Sequence, residues 1–291
     1  MSEVTPMQRM SAMLGPLIPA RFRSDIPVVP VVRLAGAIGI SSPLKPGLTM
    51  AGIARSLERA FGMSKIKGVA LSINSPGGSA VQSHLIFKRI RALADEKKIP
   101  VFAFVEDVAA SGGYMIACAA DEIVCDPSSI VGSIGVVGGS FGFEKLIEKI
   151  GVERRLYTSG ENKAMLDPFL PEKAEDVAKL KAIQKEIHEH FIALVKSRRE
   201  HLSPESALFT GEYWTGNRAK ELGLIDSIGD LRGTLRARYG DKVKTPLIVE
   251  RGFFGRKTPG VGLENLFASA SLTEDFVSTL EARALWARYG L

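Results

Sequence analysis

Ser111 stands where an apolar, strand-like run gives way to an apolar, helix-like one, in the segment A-S-G-G-Y. Gly112 and Gly113 let the chain turn sharply at that break. A serine in such a turn presents its hydroxyl above a sheet edge, at the positive end of a helix, where a nucleophile can be kept. The chemistry open to it is acyl transfer, given a base for its proton and N–H donors for the oxyanion. A second turn, Asn74–Ser79 (N-S-P-G-G-S), could supply donors. It also has a simpler reading, in which Pro76 fixes φ and Gly77 and Gly78 merely permit a tight bend. In the functional reading a glycine N–H there points at the developing negative charge, a contribution of about 3 kcal/mol.

The base is harder to find. The histidines are His84, His188, His190 and His201, and none lies between Ser111 and Met165. His84 falls on a helix-like stretch and the other three lie in or just after a long charged one, where they read as solvated side chains. That argues against a Ser–His triad. A lysine can replace histidine where burial leaves its amine neutral. Lys163, in Y-T-S-G-E-N-K-A-M-L-D-P-F-L-P, has a distinctive setting, although alone it reads as a surface loop lysine. Cys118 and Cys125 sit in apolar stretches without histidines at ligand spacing. They are expected to be buried, reduced thiols, with no metal site and no cofactor.

The elements that must position these residues follow from periodicity. Val28–Leu34, Gly68–Ile73, Val101–Val105, Glu122–Cys125 and Arg154–Thr158 are expected strands. Gly47–Phe61, Ala80–Lys97, Tyr114–Ala120, Phe143–Ile150 and Lys173–Glu200 are expected helices. On Ala80–Lys97 the expected inner face is Val81, Leu85, Ile90 and Leu93. On Lys173–Glu200 the stripe is Val177, Leu180, Ile187, Phe191 and Val195. Strand and helix in alternation, with glycine turns between, predict a mainly parallel α/β sheet. If the strands before the two turns are neighbours, both turns share one sheet edge.

With 291 residues the chain can bury a full core. Three regions are expected: a loosely ordered leader over 1–25, a main domain over 26–240, and a linker with an amphipathic helix over 241–291. The linker is Arg251–Gly262, and the helix is Ser271–Tyr289, capped by Ser271 and Glu274, with Leu272, Phe276, Leu280 and Trp286 mostly on one side. The net charge of +6 is spread among mixed-charge helices, so no nucleic-acid partner is expected and at most peripheral membrane contact. No apolar run approaches the roughly 20 residues that span a bilayer, and the N-terminal segment is a poor signal peptide, broken by Pro16 and Pro19. The expected location is cytoplasmic, or peripheral at the inner membrane.

A set of ordered motifs adds a resemblance. N-S-P-G-G at 74–78, A-S-G-G-Y-M-I-A at 110–117, A-D-E-I-V-C-D-P-S-S-I-V-G-S-I-G-V at 120–136, T-S-G-E-N-K at 158–163, D-P-F at 167–169 and Y-W-T-G-N-R-A-K-E-L-G-L-I-D at 213–226 occur in sequence. Over about residues 28–240 the chain resembles the signal peptide peptidase A (protease IV) family of Ser–Lys serine peptidases. The resemblance implies Ser111 as nucleophile, Lys163 as general base, Ser133 as the hydroxyl that orients the lysine, and the N–H groups of Gly78 and Gly112 as oxyanion hole. It implies a ClpP/crotonase-like spiral of repeated β-β-α units with a C-terminal helical extension. It also implies peptide substrates, unfolded or signal-peptide-like, and a ring-like homo-oligomer with its active sites facing an interior bowl. Members of that family are usually anchored by an N-terminal transmembrane helix; the sequence departs from them there, and the chain is expected to be a soluble, single-repeat form. Two rival functions share the fold: a crotonase-type acyl-CoA enzyme, which would need carboxylates at a thioester, and a non-catalytic oligomeric scaffold.

Overall fold

Val31–Ala35 (β1), Val69–Ser75 (β2) and Val101–Ala110 (β3) are short apolar runs rich in valine and alanine, suited to strands buried on both faces. In the computed structural model, which describes residues 26–40, 47–249 and 272–291, they pair side by side in parallel. Glu122–Cys125 (β4) continues the sheet beside β3, and Ser227–Ile228 (β7) closes it, giving the order β1-β2-β3-β4-β7. The expected leader over 1–25 and the linker Arg251–Gly262 lie outside the described residues.

Helices fill the crossovers. Met50–Phe61 (α1) starts at Thr49, whose side chain accepts from the Gly52 N–H. Ala80–Lys97 (α2) starts at Ser79, which accepts from Gln82 N–H. Gly112–Ala117 (α3) is short and wholly buried. Glu144–Lys149 (α4) and the long Ala174–Arg198 (α5) follow Ile130–Gly132 (β5), and Tyr213–Thr215 (β6) pairs antiparallel with β5. Gly216–Glu221 (α6), Leu231–Tyr239 (α7) and Leu272–Ala287 (α8) complete the described helices.

The sheet turns partway along β2 and β3. β3 pairs with β4 through Val105 and then with β5 from Val108 onward. The β2–β3 register shifts between Ile73 and Ser75. Ile38 bridges Gly78, Ser75 faces Ala109, and Ala110 faces Gly132, so a second small layer runs past the strand ends. The repeating unit is therefore strand, short strand, helix, as the resemblance implies. Polar side chains stitch the bend: Ser75 Oγ donates to Gly36 O at 2.7 Å, and Asn74 Nδ2 donates to Asp107 Oδ2 at 2.6 Å.

The main core lies between the sheet and α1, α2, α3 and the end of α5, with Leu57, Leu71, Ile73, Ile90 and Tyr114 fully enclosed. Tyr114 donates its hydroxyl to Leu224 O at 2.7 Å. A smaller cluster on the other face joins Phe102, Phe104 and Val124 to Leu235 of α7. Cys118 and Cys125 are buried free thiols.

Several expected details differ. The inner face of α2 is Ser83, Ile86, Ile90, Leu93 and Ala94, while Val81 and Leu85 are exposed. Packing against Gly112 selects the small Ser83 there, because a Cβ on Gly112 would fall onto Ser83 Oγ. Arg154–Thr158 is an exposed extended segment with no strand partner among the described residues. Of the expected α5 stripe only Phe191 and Val195 are buried, with Leu194 beside them, since only the end of that helix packs on α3 and the core. The expected cap of Ser271 and Glu274, and the side chains of Leu272 and Phe276, lie outside what is described. Leu280 is exposed, whereas Trp286 packs beside Val108, Ala110 and Tyr289.

Candidate active site

Ser111 joins β3 directly to α3 and holds φ +52°, ψ −121°. A side-chain-bearing residue in such a region costs of order 1–3 kcal/mol. The elbow is held on one side by Ser111 N–H donating to Gly132 O at 2.8 Å. On the other side it meets the Asn74–Ser79 turn. A Cβ added to Gly77 would lie 2.8 Å from Ser111 Cβ, 2.9 Å from Ala110 O and 3.0 Å from Gly112 N. Since β2 and β3 are neighbours, the two glycine turns do share one sheet edge.

Gly78 has φ +141°, and a Cβ there would fall onto the Ile38 carbonyl. Around it, Ile38 N–H donates to Gly77 O and Ser79 N–H to Ile38 O, each at 2.8 Å. Among the described residues, the N–H groups of Gly78 and Gly112 donate to no protein acceptor. Gly112 opens a helix, where the first N–H has no partner within the helix. Two unspent donors beside a half-buried serine are what an oxyanion hole requires.

Ser133 follows Gly132, the acceptor of the Ser111 N–H, and is buried with φ +54°. Its own N–H donates to Glu212 O at 2.6 Å. Its Oγ accepts from the Tyr289 hydroxyl at 3.2 Å.

Lys163 is placed differently. It lies on an exposed turn, its N–H donating to Gly160 O at 3.3 Å. Among the described residues its ammonium makes no hydrogen bond to Ser111 or Ser133. The turn is braced by the D-P-F motif: Arg154 pairs with Asp167 at 2.8 Å, Phe169 N–H donates to Asp167 Oδ1 at 2.9 Å, and Phe143 N–H donates to Pro168 O at 2.6 Å. The Arg154 guanidinium, then the Phe169 N–H, hold the Asp167 carboxyl below its ordinary range. One chain thus brings together Ser111, Ser133, Gly78 and Gly112, and sets Lys163 on a separate braced loop.

The histidines read as solvated, and one tyrosine far along the chain, fall as follows. His188 Nε2 sits 3.1 Å from Ile134 O, beside Ser133. His190 and His84 meet Nε2 to Nε2 at 3.3 Å. Burial, then His190 and Lys88, lowers the His84 pKa. Tyr289 is 156 residues from Ser133 along the chain, beyond the reach of any motif. Among the described residues no group of three or more His, Cys, Asp or Glu side chains is placed to hold a metal ion.

The model of "Peptidase family S49" matches residues 93–242, just over half of the chain. A Brucella abortus protein named Na(+)/H(+) antiporter NhaA is 56% identical over 287 residues, covering 96% of this chain and 39% of that protein. The Arabidopsis thaliana chloroplastic serine protease SPPA is 35% identical over 211 residues, covering 70% of this chain and 31% of that protein. The chain thus spans about two fifths or less of the length of these two relatives. Among the described residues no helix is long and apolar enough to cross a membrane. A solved structure of the membrane-bound stomatin-specific protease 1510-N aligns with a TM-score of 0.46 at 17% identity, covering 77% of this chain and 99% of that one. On the extent of the family match, which contains Ser111, Ser133 and Lys163, the chain belongs to peptidase family S49.

Proposed function

We propose that the chain is a serine endopeptidase that cleaves unfolded or signal-peptide-like segments through Ser111 and Lys163. The observation that carries the reading is the elbow itself: a half-buried serine hydroxyl with the unspent N–H groups of Gly78 and Gly112 beside it. Ser111 Oγ adds to the scissile carbonyl carbon as its proton passes to the neutral Lys163 amine. The carbonyl oxygen becomes an oxyanion facing the two N–H groups. Collapse breaks the C–N bond, and the Lys163 ammonium protonates the departing amine. Water, giving its proton to Lys163, then attacks the Ser111 ester, and the proton returns to Ser111 as the acid leaves.

This scheme needs a neutral lysine at the serine, and in one chain Lys163 is exposed. The reading therefore includes a second copy. Near the lysine loop, Val137 is 71%, Phe141 78% and Tyr157 90% exposed, and the first half of α5 is uncovered. Burial of these side chains between copies would bring Lys163 of one protomer to Ser111 of its neighbour and remove it from water. The ring-like homo-oligomer is part of the same proposal.

Fluorophosphonate labelling and peptide cleavage test it. Ser111→Ala should lose both, and Lys163→Ala should lose cleavage while retaining the oligomer. Mixing the two inactive variants should restore activity, up to about a quarter of wild type for random pairing. Cleavage that persists in Ser111→Ala overturns the nucleophile, and a dead mixture overturns the shared site. The rate should rise on the alkaline side, because the base works deprotonated.

A further inference from the structure

The last helix reaches into the site. We propose that Tyr289 is a positioning residue, whose hydroxyl fixes the Ser133 side chain so that the Ser133 proton is offered to the base. The inference rests on the Ser111–Lys163 reading above and gives α8 a role within it.

The backbone of Ser133 is already committed. Its N–H is spent on Glu212 O, and its φ of +54° fixes the chain direction. The remaining freedom is the hydroxyl rotor, which has one donor and two acceptor sites. Tyr289 Oη–H fills one acceptor site at 3.2 Å, within a buried contact. A hydroxyl that accepts a hydrogen bond donates a stronger one. Donation into the lone pair of an amine favours the neutral amine. The chain Tyr289 to Ser133 to Lys163 therefore holds the base in its working form.

Tyr289 is itself well placed for this task. Trp286 and Tyr289 pack on Val108, Ala110 and Ile130, the strand ends that seat Ser111 and Ser133. The Tyr213 ring meets the Tyr289 ring edge-on at 5.1 Å, and Tyr213 donates its hydroxyl to Arg288 O at 3.2 Å. β3, β5, β6 and α8 so share one small apolar cluster directly behind the catalytic turn.

Tyr289→Phe keeps the ring and removes the hydroxyl. With an internally quenched peptide of apolar, signal-peptide-like sequence, kcat should fall about five- to tenfold, the scale of one hydrogen bond, with KM unchanged. The acid limb of the kcat/KM profile should move to higher pH by about half a unit. Thermal stability and oligomer size should change little. In a Ser133→Ala background, Tyr289→Phe should cost less than about twofold more, because the two act in series. An unmoved limb with wild-type kcat overturns the proposal. So does a faster enzyme, which would make Tyr289 an occluding contact. Lys163→Ala measured alongside separates the two readings: if it is inactive while Tyr289→Phe is wild type, only the tyrosine's role falls. If Lys163→Ala is fully active, the dyad itself is wrong.

Discussion

Gly77→Ala probes the contact that holds the proposed catalytic elbow at Ser111. The new methyl would sit 2.8 Å from Ser111 Cβ and 3.0 Å from Gly112 N. Carbon atoms rest at about 3.5–4.0 Å, so the Asn74–Ser79 turn must withdraw by roughly 0.7 Å or more. An oxyanion donor is useful at about 2.7–3.1 Å, so such a shift takes Gly78 N–H out of reach. Loss of one donor lowers kcat by about 10²- to 10³-fold. Alanine at φ +99° adds backbone strain of about 1–2 kcal/mol. Gly240→Ala supplies the control, since Gly240 has φ +86° but open space around its Cβ position. Both variants should melt earlier by similar amounts, while only Gly77→Ala loses kcat in the peptide assay. A Gly77→Ala enzyme within about threefold of wild-type kcat would falsify the packing of the two turns as the origin of the donor geometry.

Two further predictions concern stability. Burial pushes the Cys118 and Cys125 thiols up to about 12, whereas unfolded cysteine ionises near 8.5. Above that pH the unfolded chain binds fewer protons than the folded one, so stability falls as pH rises toward 12. The slope is about 1.4 kcal/mol per pH unit for Cys118 and smaller for Cys125. Melts between about pH 7 and 10 should steepen in this sense and flatten in a Cys118→Ala/Cys125→Ala variant; an equal slope in both proteins would remove the thiols as the cause. Tyr114→Phe leaves the Leu224 carbonyl buried without its 2.7 Å partner, at a cost of about 1–3 kcal/mol in urea unfolding, and a loss under about 0.5 kcal/mol would refute that accounting.

How far the sequence could be read depended on the range of the forces involved. Ala80–Lys97 is legible to the residue from its periodicity, and the fold closes it with the Ser79 cap and a left-handed Lys98. Its buried face is legible only in part: Ile90 and Leu93 are enclosed, whereas Val81 and Leu85 are exposed, with no layer over them among the described residues. Arg154–Thr158 reads as a strand on local propensity, yet among the described residues no sheet edge lies beside it. Ser111 and the glycine turns stood out because punctuation at strand ends is local chemistry. Tyr289 had no such signal, since its contact with Ser133 forms only when the fold brings α8 under β3 and β5.

The same division explains why one half of the proposed site is assembled within one chain and Lys163 is not. Ser111, Gly78 and Gly112 are placed by the register of adjacent parallel strands, which resists slippage when both faces are buried. Ser133 gains its position from β5 in the same ladder. Lys163 has no ladder to hold it. Its loop is braced by Arg154, Asp167 and Phe169 into a unit of its own. A unit held this way can be carried as a whole by whatever packs on its exposed apolar side chains. A base set in the β3 ladder beside Ser111 would be available in every monomer. With Lys163 as the proposed base, its place on a separately braced loop would make activity conditional on assembly, so the dilution dependence of peptide cleavage measures that coupling: the rate per chain should fall once the protein is diluted below its dissociation constant, and a rate per chain independent of concentration in a demonstrably monomeric sample would place Lys163 and Ser111 within one protomer.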